Sequence, residues 1–160
     1  MLGVSFLLFF LISISKGRKN ILFIGSDDLR PNLGVYNYVN DDIFNSPIMV
    51  TPNLDKLASK SILFDHAYVQ YAVCSPSRTS MLTSRTPDTT HITDLTSYFR
   101  EIGGNFTTIP QFFKNNRYTS INVGKIFHHG VKSSGPGGDD DISWSEKFHT
   151  TQQYLTLIWR

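Results

Sequence analysis

Apolar and polar positions alternate in blocks along the chain, and the blocks predict strands that lead into helices. Residues 20–25 (NILFIG) form an apolar run that ends abruptly at the polar residues 26–28. A short continuous apolar run of this kind is typical of a strand buried on both faces, as in a parallel sheet. Apolar stretches at 62–64 and 118–123 predict two further strands.

Helix-start signals lie between these predicted strands. Thr51 and Pro52 predict the N-cap and first residue of a short helix. A second helix is predicted to start near Pro76 and to run through Leu82, and a third to open at residues 108–110. Strands alternating with helices predict an α/β fold with a mostly parallel sheet, whose ligand site lies at the carboxyl ends of the strands.

The pattern weakens towards the C-terminus. Residues 133–141 (SSGPGGDDD) predict a loop, and we expect its acidic run to be solvated rather than metal-binding. Residues 150–160 include apolar positions, but the sequence predicts no helix or strand against which they would pack. They are interpreted as a tail outside the domain.

The first fifteen residues carry no charged side chain and contain an apolar core of about ten residues. Such a run is too short to span a bilayer, and the small residues Ser13 and Ser15 suit signal-peptidase cleavage. We therefore predict a secretory signal at 1–15 and a mature chain without a stable membrane span, in the secretory pathway, the lysosome or the extracellular space. An uncleaved anchor is the alternative.

Composition permits one domain after the signal, at residues 16–149. The sequence is 40% hydrophobic and 13% aromatic, which is enough for one core. Its formal net charge of +2 gives no argument for binding to nucleic acid or to an anionic membrane. The triplet at 105–107 makes Asn105 a predicted glycosylation site, consistent with export.

Cys74 is the sole cysteine in the chain. Exported domains normally pair their thiols, and a single cysteine nearly excludes a cysteine-based zinc site. A buried, inert thiol is one interpretation. The setting of Ser75, Pro76 and Arg78 favours another, in which the thiol is reactive or is converted into a different group.

Several polar residues are candidates for the same site. The carboxylates of Asp27 and Asp28 suit Ca²⁺ or Mg²⁺, but both reach one ion only if the strand has already broken, and a solvated turn is the alternative. Arg78 lies about one helical turn after Cys74, so its guanidinium could return to that side chain or to an anion held there. Lys125 and a histidine three residues on could face one ligand, although both would also suit a solvated surface.

The motif C-x-P-S-R at 74–78 resembles the type I sulfatases. In that family a generating enzyme oxidises the cysteine to formylglycine, an aldehyde that needs no disulfide partner. The resemblance extends over about residues 20–149, including NILFIGSDDLRPNLG, GNFTTIPQFFKNNRYTSINVGKIFH and SWSEKFH. It implies the N-terminal part of an alkaline-phosphatase-like fold, with helices flanking a sheet that is incomplete here.

The resemblance also implies a role for each candidate residue. Asp27, Asp28 and the formylglycine derived from Cys74 would be ligands of Ca²⁺, with Mg²⁺ less expected. The hydrated aldehyde would attack sulfur. Three further residues would assist it, as follows: Arg78 would steady the hydrate, Lys125 would bind a sulfate oxygen, and His128 would orient the hydrate or help to deprotonate it.

The subgroup suggested by PDTT, NFTTIPQFFK and VGKIFH removes the 2-O-sulfate of iduronate in heparan sulfate and dermatan sulfate. A sulfated glycosaminoglycan and the formylglycine-generating enzyme are therefore the expected partners. Three alternatives stay open: a sulfatase for another sulfated sugar, a secreted remnant that binds sulfated glycan without cleaving it, and a phosphatase or phosphodiesterase of related fold. The last would usually carry Ser or Thr in place of Cys74.

The sequence departs from the family pattern in three places. Ser84 stands where the second signature, L-T-G-R, has glycine, and Ser26 precedes the aspartate pair where an apolar residue is more usual. Family members are also much longer, and their later metal ligands and leaving-group histidine have no counterpart here. We therefore expect an N-terminal fragment with an incomplete metal shell and little or no turnover.

Overall fold

The computed structural model describes residues 17–37 and 49–147. The predicted signal peptide at 1–15 and the predicted tail at 150–160 lie outside the described residues. The helices are α1 (Pro52–Ala58), α2 (Cys74–Thr83), α3 (Pro87–Thr90), α4 (Phe99–Ile102), α5 (Ile109–Asn115) and α6 (Val131–Ser134), with 3-10 turns at Gly34–Tyr36 and Asp141–Ser143. Within the described ranges, no helix combines the length and the apolar character needed to cross a bilayer.

The three predicted helices are confirmed, and their starts follow from local chemistry. Thr51 is the N-cap of α1 and Pro52 its first residue. Thr108 opens α5 with a capping box, in which its side chain accepts from the backbone of Gln111 while the Gln111 side chain accepts from the Thr108 backbone. α2 begins at Cys74, two residues before the predicted Pro76.

α2 ends in a left-handed residue. Ser84 has φ 55° and ψ 37°, and its N–H donates to the carbonyl of Ser80. This backbone region favours glycine because a Cβ crowds the following carbonyl. At position 84 this chain therefore has serine in place of the glycine of L-T-G-R, and serine is strained in the left-handed conformation that glycine adopts readily.

Replacing Ser84 with glycine is expected to raise the free energy of unfolding by about 0.5–1 kcal/mol. Ser84 is exposed, so the change removes little packing. Urea denaturation of the 160-residue chain measures the effect. Met81→Gly, at an exposed position inside the same helix, should lower stability by a similar amount. A loss of stability in both variants would contradict the strain argument.

The predicted parallel sheet is not confirmed in the part of the chain that the structure describes. Residues 20–25, 62–64 and 118–123 are not helical, but they form no ladder, and the only strand-type contact there is an isolated bridge at Val123. Leu22 is 85% exposed and Ile62 is 83% exposed. A strand buried on both faces needs hydrogen-bonded neighbours and covering helices, which the described residues do not supply to these segments.

A small core joins α2 to the loop after the third predicted strand. It consists of Leu82, Ile92, Tyr98, Phe99, Phe127 and Trp144. The Phe99 and Phe127 rings stack with centroids 6.3 Å apart, and Trp144 meets Phe127 edge-on at 6.2 Å. Because Phe127 is buried against this cluster, the neighbouring residues 125–128 are held close to α2.

The acidic run at 139–141 is largely buried, so the prediction that it is solvated was wrong. Asp139 is 2% exposed and Asp140 is 0% exposed. The Asp140 carboxylate accepts two hydrogen bonds from Arg100, from Nε at 2.6 Å and Nη2 at 2.7 Å, and also one from the Tyr98 hydroxyl. A guanidinium fork compensates a buried carboxylate, which explains why this position can be internal.

Asp139 is buried without a cation. Asn122 donates to one carboxylate oxygen, and the other oxygen has no partner in hydrogen-bonding geometry among the described residues, although the Trp144 indole N–H lies close enough to oppose the rise in pKa. Burial, with a contribution from the nearby Asp140, raises the pKa of Asp139 to about 6. The folded state therefore holds the Asp139 proton more tightly than the unfolded chain does.

Stability from Asp139 is expected to be fully present below pH 4 and to fall as the pH rises through 6, by up to about 3 kcal/mol. Asp139→Asn should flatten this part of the pH dependence. Denaturation midpoints between pH 4 and pH 7.5 test it, with Asp141→Asn as the exposed control. Parallel pH curves for the wild-type chain and Asp139→Asn would contradict the assignment.

Candidate active site

The apolar run at 20–25 ends in a bend that carries two carboxylates. Asp28 has φ 50°, a left-handed conformation that Asp tolerates better than most residues. Adjacent residues in a strand point to opposite faces, so this bend is what allows both carboxylates to face one point. The condition set by the sequence, that the strand must break before the pair, is met.

Cys74 lies beside the aspartate pair. It is the first residue of α2, follows the extended N-cap Val73 and is partly buried. One ligand atom each from Asp27, Asp28 and Cys74 lie within 4.8 Å of one another. The three residues predicted to share a cation, about fifty positions apart in the chain, are therefore brought together.

The donor set suits a hard divalent cation once position 74 presents oxygen. Carboxylates are preferred ligands of Ca²⁺ and Mg²⁺, whereas a thiol is a soft ligand. A formylglycine at position 74 would replace that sulfur with oxygen and make the group an all-oxygen set. The three side chains then offer about five oxygens, compared with the about six to eight that Ca²⁺ takes.

Arg78 ties this cluster to the loop at residues 125–126. Its guanidinium donates to Asp27 Oδ1 at 2.8 Å, to the Lys125 carbonyl at 2.5 Å and to the Ile126 carbonyl at 2.9 Å. Arg78 is 6% exposed, so it is not the surface cation that the sequence left open. Its recorded hydrogen bonds go to these oxygens rather than back to Cys74.

Lys125 supplies the second cation. Its Nζ lies 2.5 Å from Asp27 Oδ2 and 3.5 Å from Cys74 Sγ. The hydrogen bond from Lys125, followed by that from Arg78, lowers the pKa of Asp27 to about 2. The same contact with Asp27 raises the pKa of Lys125. Asp27 therefore stays ionised in mildly acidic solution, and the Lys125 ammonium lies next to the sulfur atom of Cys74.

His128 lies within electrostatic range of the same charges. Burial lowers its pKa, and the positive charges of Lys125 and Arg78 lower it further. Its Nδ1 lies 3.1 Å from the Ser133 hydroxyl. The sequence predicted His128 but missed Ser133, whose only signal was its position three residues after Gly130, at the start of a stretch interpreted as a loop.

Asn105 is exposed, as a modification site requires, but it belongs to a different network. Its side-chain oxygen accepts from Arg100 Nη1 at 2.5 Å. The residues predicted for chemistry therefore gather around Asp27, while the predicted glycosylation site lies beside the buried Arg100–Asp140 pair.

Comparison with known proteins agrees with this grouping. The Sulfatase family model matches residues 19–156. Iduronate 2-sulfatase of Mus musculus is 51% identical over 126 residues, and that of Homo sapiens 50% over 126 residues, covering 79% of this chain and 21% of each relative. N-acetylgalactosamine-6-sulfatase of Sus scrofa is 34% identical over 117 residues, covering 66% of this chain and 21% of the relative. The chain spans about a fifth of the length of these curated relatives. Because the family model covers most of the chain, including every residue of the Asp27 cluster, the chain belongs to the sulfatase family.

Proposed function

We propose that this chain carries part of the active site of a formylglycine-dependent sulfatase that removes the 2-O-sulfate of iduronate in heparan sulfate and dermatan sulfate. The observation that carries the proposal is the convergence of Asp27, Asp28 and Cys74 within 4.8 Å, with Lys125 in contact with both Asp27 and the sulfur. The choice of sugar rests on the similarity to the two iduronate 2-sulfatases.

In this proposal a formylglycine at position 74 supplies the nucleophilic hydroxyl, and Ca²⁺, with Mg²⁺ less expected, offsets the negative charge of the sulfate. Asp27 and Asp28 would hold the cation. Lys125 would bind a sulfate oxygen, because its ammonium lies beside the reacting position. Arg78 keeps Asp27 and the loop carrying Lys125 in place.

His128 would act as the base in this site. A lowered pKa keeps its imidazole neutral to a lower pH than an ordinary histidine, so it can still accept a proton in a mildly acidic compartment. The proposal places the protein in the secretory pathway, the lysosome or the extracellular space. The formylglycine-generating enzyme acts on Cys74 there, and Asn105 carries a glycan. Because the described cluster offers fewer oxygens than Ca²⁺ takes, we expect little or no turnover from the 160-residue chain alone.

Peptide mass spectrometry tests the central claim. The chain is expressed in a secretory host together with the generating enzyme, and the peptide containing Cys74 is examined for the mass of the aldehyde. We expect conversion in the wild-type chain and in the control Asp88→Ala, an exposed position outside the motif. Pro76→Ala, within C-x-P-S-R, should reduce it. An intact thiol alone in the wild-type chain would overturn the proposal.

Replacing Cys74 with serine is expected to raise the affinity of the 160-residue chain for Ca²⁺ at least severalfold, because a hard cation prefers oxygen to sulfur. Asp27→Asn should lower the affinity, since it removes one of the two carboxylates. Calorimetric titration of Ca²⁺ measures both effects, with Asp88→Asn as the control. Equal Ca²⁺ affinities in the wild-type chain and the three variants would show that Ca²⁺ binds at another site.

A further inference from the structure

The Ser133 hydroxyl lies between one ring nitrogen of His128 and three backbone carbonyl oxygens. Its hydroxyl oxygen lies 3.1 Å from His128 Nδ1 and 3.0 Å from the His128 carbonyl oxygen. The carbonyl oxygens of His129 and Gly130 each lie 3.3 Å away. Ser133 is 5% exposed, so water does not readily replace these contacts.

The set of acceptors around the Ser133 hydroxyl favours one assignment of donor and acceptor in its contact with Nδ1. A serine hydroxyl has one proton and two lone pairs, while a carbonyl oxygen only accepts. With three carbonyl oxygens around it, the Ser133 hydroxyl donates its proton to one of them and presents a lone pair to Nδ1. With the Ser133 proton on a carbonyl, the nitrogen facing that lone pair carries the hydrogen. In a neutral imidazole this leaves Nε2 without one.

We infer that Ser133 is a positioning residue that holds His128 as the Nδ1–H tautomer, so that Nε2 is the nitrogen that accepts a proton. The acid–base part of this inference rests on the proposed function, whereas the tautomer itself does not. Ser134 supports the arrangement from the backbone, because its hydroxyl donates to the His128 carbonyl. α6 thus presents two adjacent hydroxyls to one histidine, and only that of Ser133 contacts the ring.

The side chains that act electrostatically on His128 are consistent with a bare Nε2. Lys125 and Arg78 bring positive charge and Asp27 brings negative charge. Two cations disfavour a protonated ring, which is the condition under which the choice of tautomer matters.

Nitrogen-15 NMR of histidine-labelled 160-residue chain tests the inference, because Nδ1 and Nε2 shifts distinguish the two neutral tautomers. His128→Gln assigns the His128 signals, because the chain has five histidines and only the His128 signals are missing from that variant's spectrum. We expect the Nδ1–H form in the wild-type chain. In Ser133→Ala the ratio of the Nδ1–H form to the Nε2–H form should fall by roughly fivefold, the worth of one ordinary hydrogen bond. Ser133→Thr restores the hydroxyl and should restore the ratio.

Ser134→Ala is the matched control, since it removes the neighbouring hydroxyl without touching the ring. It should leave the tautomer unchanged. An Nε2–H form in the wild-type chain, or an unchanged ratio in Ser133→Ala, would overturn the inference. If Ser133→Ala does not fold, the wild-type and Ser133→Thr spectra still decide it. The measurement needs neither formylglycine nor substrate, so a failure of the proposed sulfatase activity would leave this result standing.

Discussion

Replacing Asp140 with asparagine is expected to lower the free energy of unfolding by about 3–5 kcal/mol. Asp140 is fully buried, and the Arg100 side chain that it binds is only 6% exposed. Removing the negative charge leaves a guanidinium in the interior without its counter-charge. The large cost comes from that uncompensated cation rather than from the favourable energy of the pair.

Asparagine also cannot accept all the hydrogen bonds that the Asp140 carboxylate accepts. The two Asp140 oxygens accept from Arg100 Nε and Nη2, and the Tyr98 and Ser143 hydroxyls donate to the same carboxylate. Asparagine offers one oxygen and one NH₂ group, so one side of the amide would place donor against donor. The remaining Arg100 contacts, with Asn105, Phe106 and Gln111, go to neutral oxygens and do not replace the lost charge.

Urea denaturation at pH 7 measures this loss. Asp141→Asn is the matched control, because it makes the same chemical change one residue later at an exposed position, where about 0.5 kcal/mol or less is expected. Arg100→Met combined with Asp140→Leu should recover much of the stability, since an apolar pair leaves no buried charge. Equal losses in the two single variants would show that the Arg100–Asp140 pair contributes nothing.

The sequence could not predict this ion pair, because its partners are separated by 40 residues and neither carries a local signal. An acidic run among glycines normally indicates a solvated loop. Helix starts were predictable for the opposite reason. Thr51 with Pro52, and Thr108 with Gln111, act within one turn of their own helix.

The predicted strands show a related limit. An apolar run indicates burial, but hydrogen-bonded pairing depends on segments far away in the chain. Residues 20–25 and 62–64 are non-helical, as predicted, yet they lie unpaired with exposed apolar side chains in the described part of the protein. The strands predicted at these residues are not found in the described part of the chain, because a strand requires paired partners that the run itself cannot specify.

The sequence predicted which residues form the candidate site but not which contacts they make. Asp27, Asp28 and Cys74 came from the aspartate pair and the motif at 74–78, and the structure brings them together. The partners of Arg78 were not predictable, because two of them are backbone carbonyls. Such acceptors exist at every position in the chain, and only the folded geometry selects the pair at 125–126.

Replacing Arg78 with methionine is expected to lower the free energy of unfolding by about 3–5 kcal/mol. The change removes two charge-assisted hydrogen bonds to backbone carbonyls, which are worth about 1.5–3 kcal/mol each. The bond to Asp27 adds less, because that side chain is 42% exposed. Methionine fills much of the space, so the loss reflects the hydrogen bonds more than a cavity.

The same change has a second, electrostatic effect at His128. The positive charge of Arg78 is one of the causes that lower the pKa of His128, after burial and the charge of Lys125. Removing it should move this pKa upward, towards the ordinary histidine value. NMR titration of the His128 ring measures the shift in the chain that is used for denaturation.

Two further variants separate the hydrogen bonds from the charge. Arg78→Lys keeps the positive charge but cannot reproduce a three-acceptor fork, so it should leave the pKa of His128 near its wild-type position while still losing stability. Arg85→Met is the matched control, because Arg85 is exposed and binds only carbonyls at the end of its own helix and the face of Phe106. It should cost about 0.5–1 kcal/mol and leave His128 unchanged. If Arg78→Met changed the free energy of unfolding and the pKa of His128 no more than Arg85→Met does, Arg78 would not link α2 to the loop that carries Lys125 and His128.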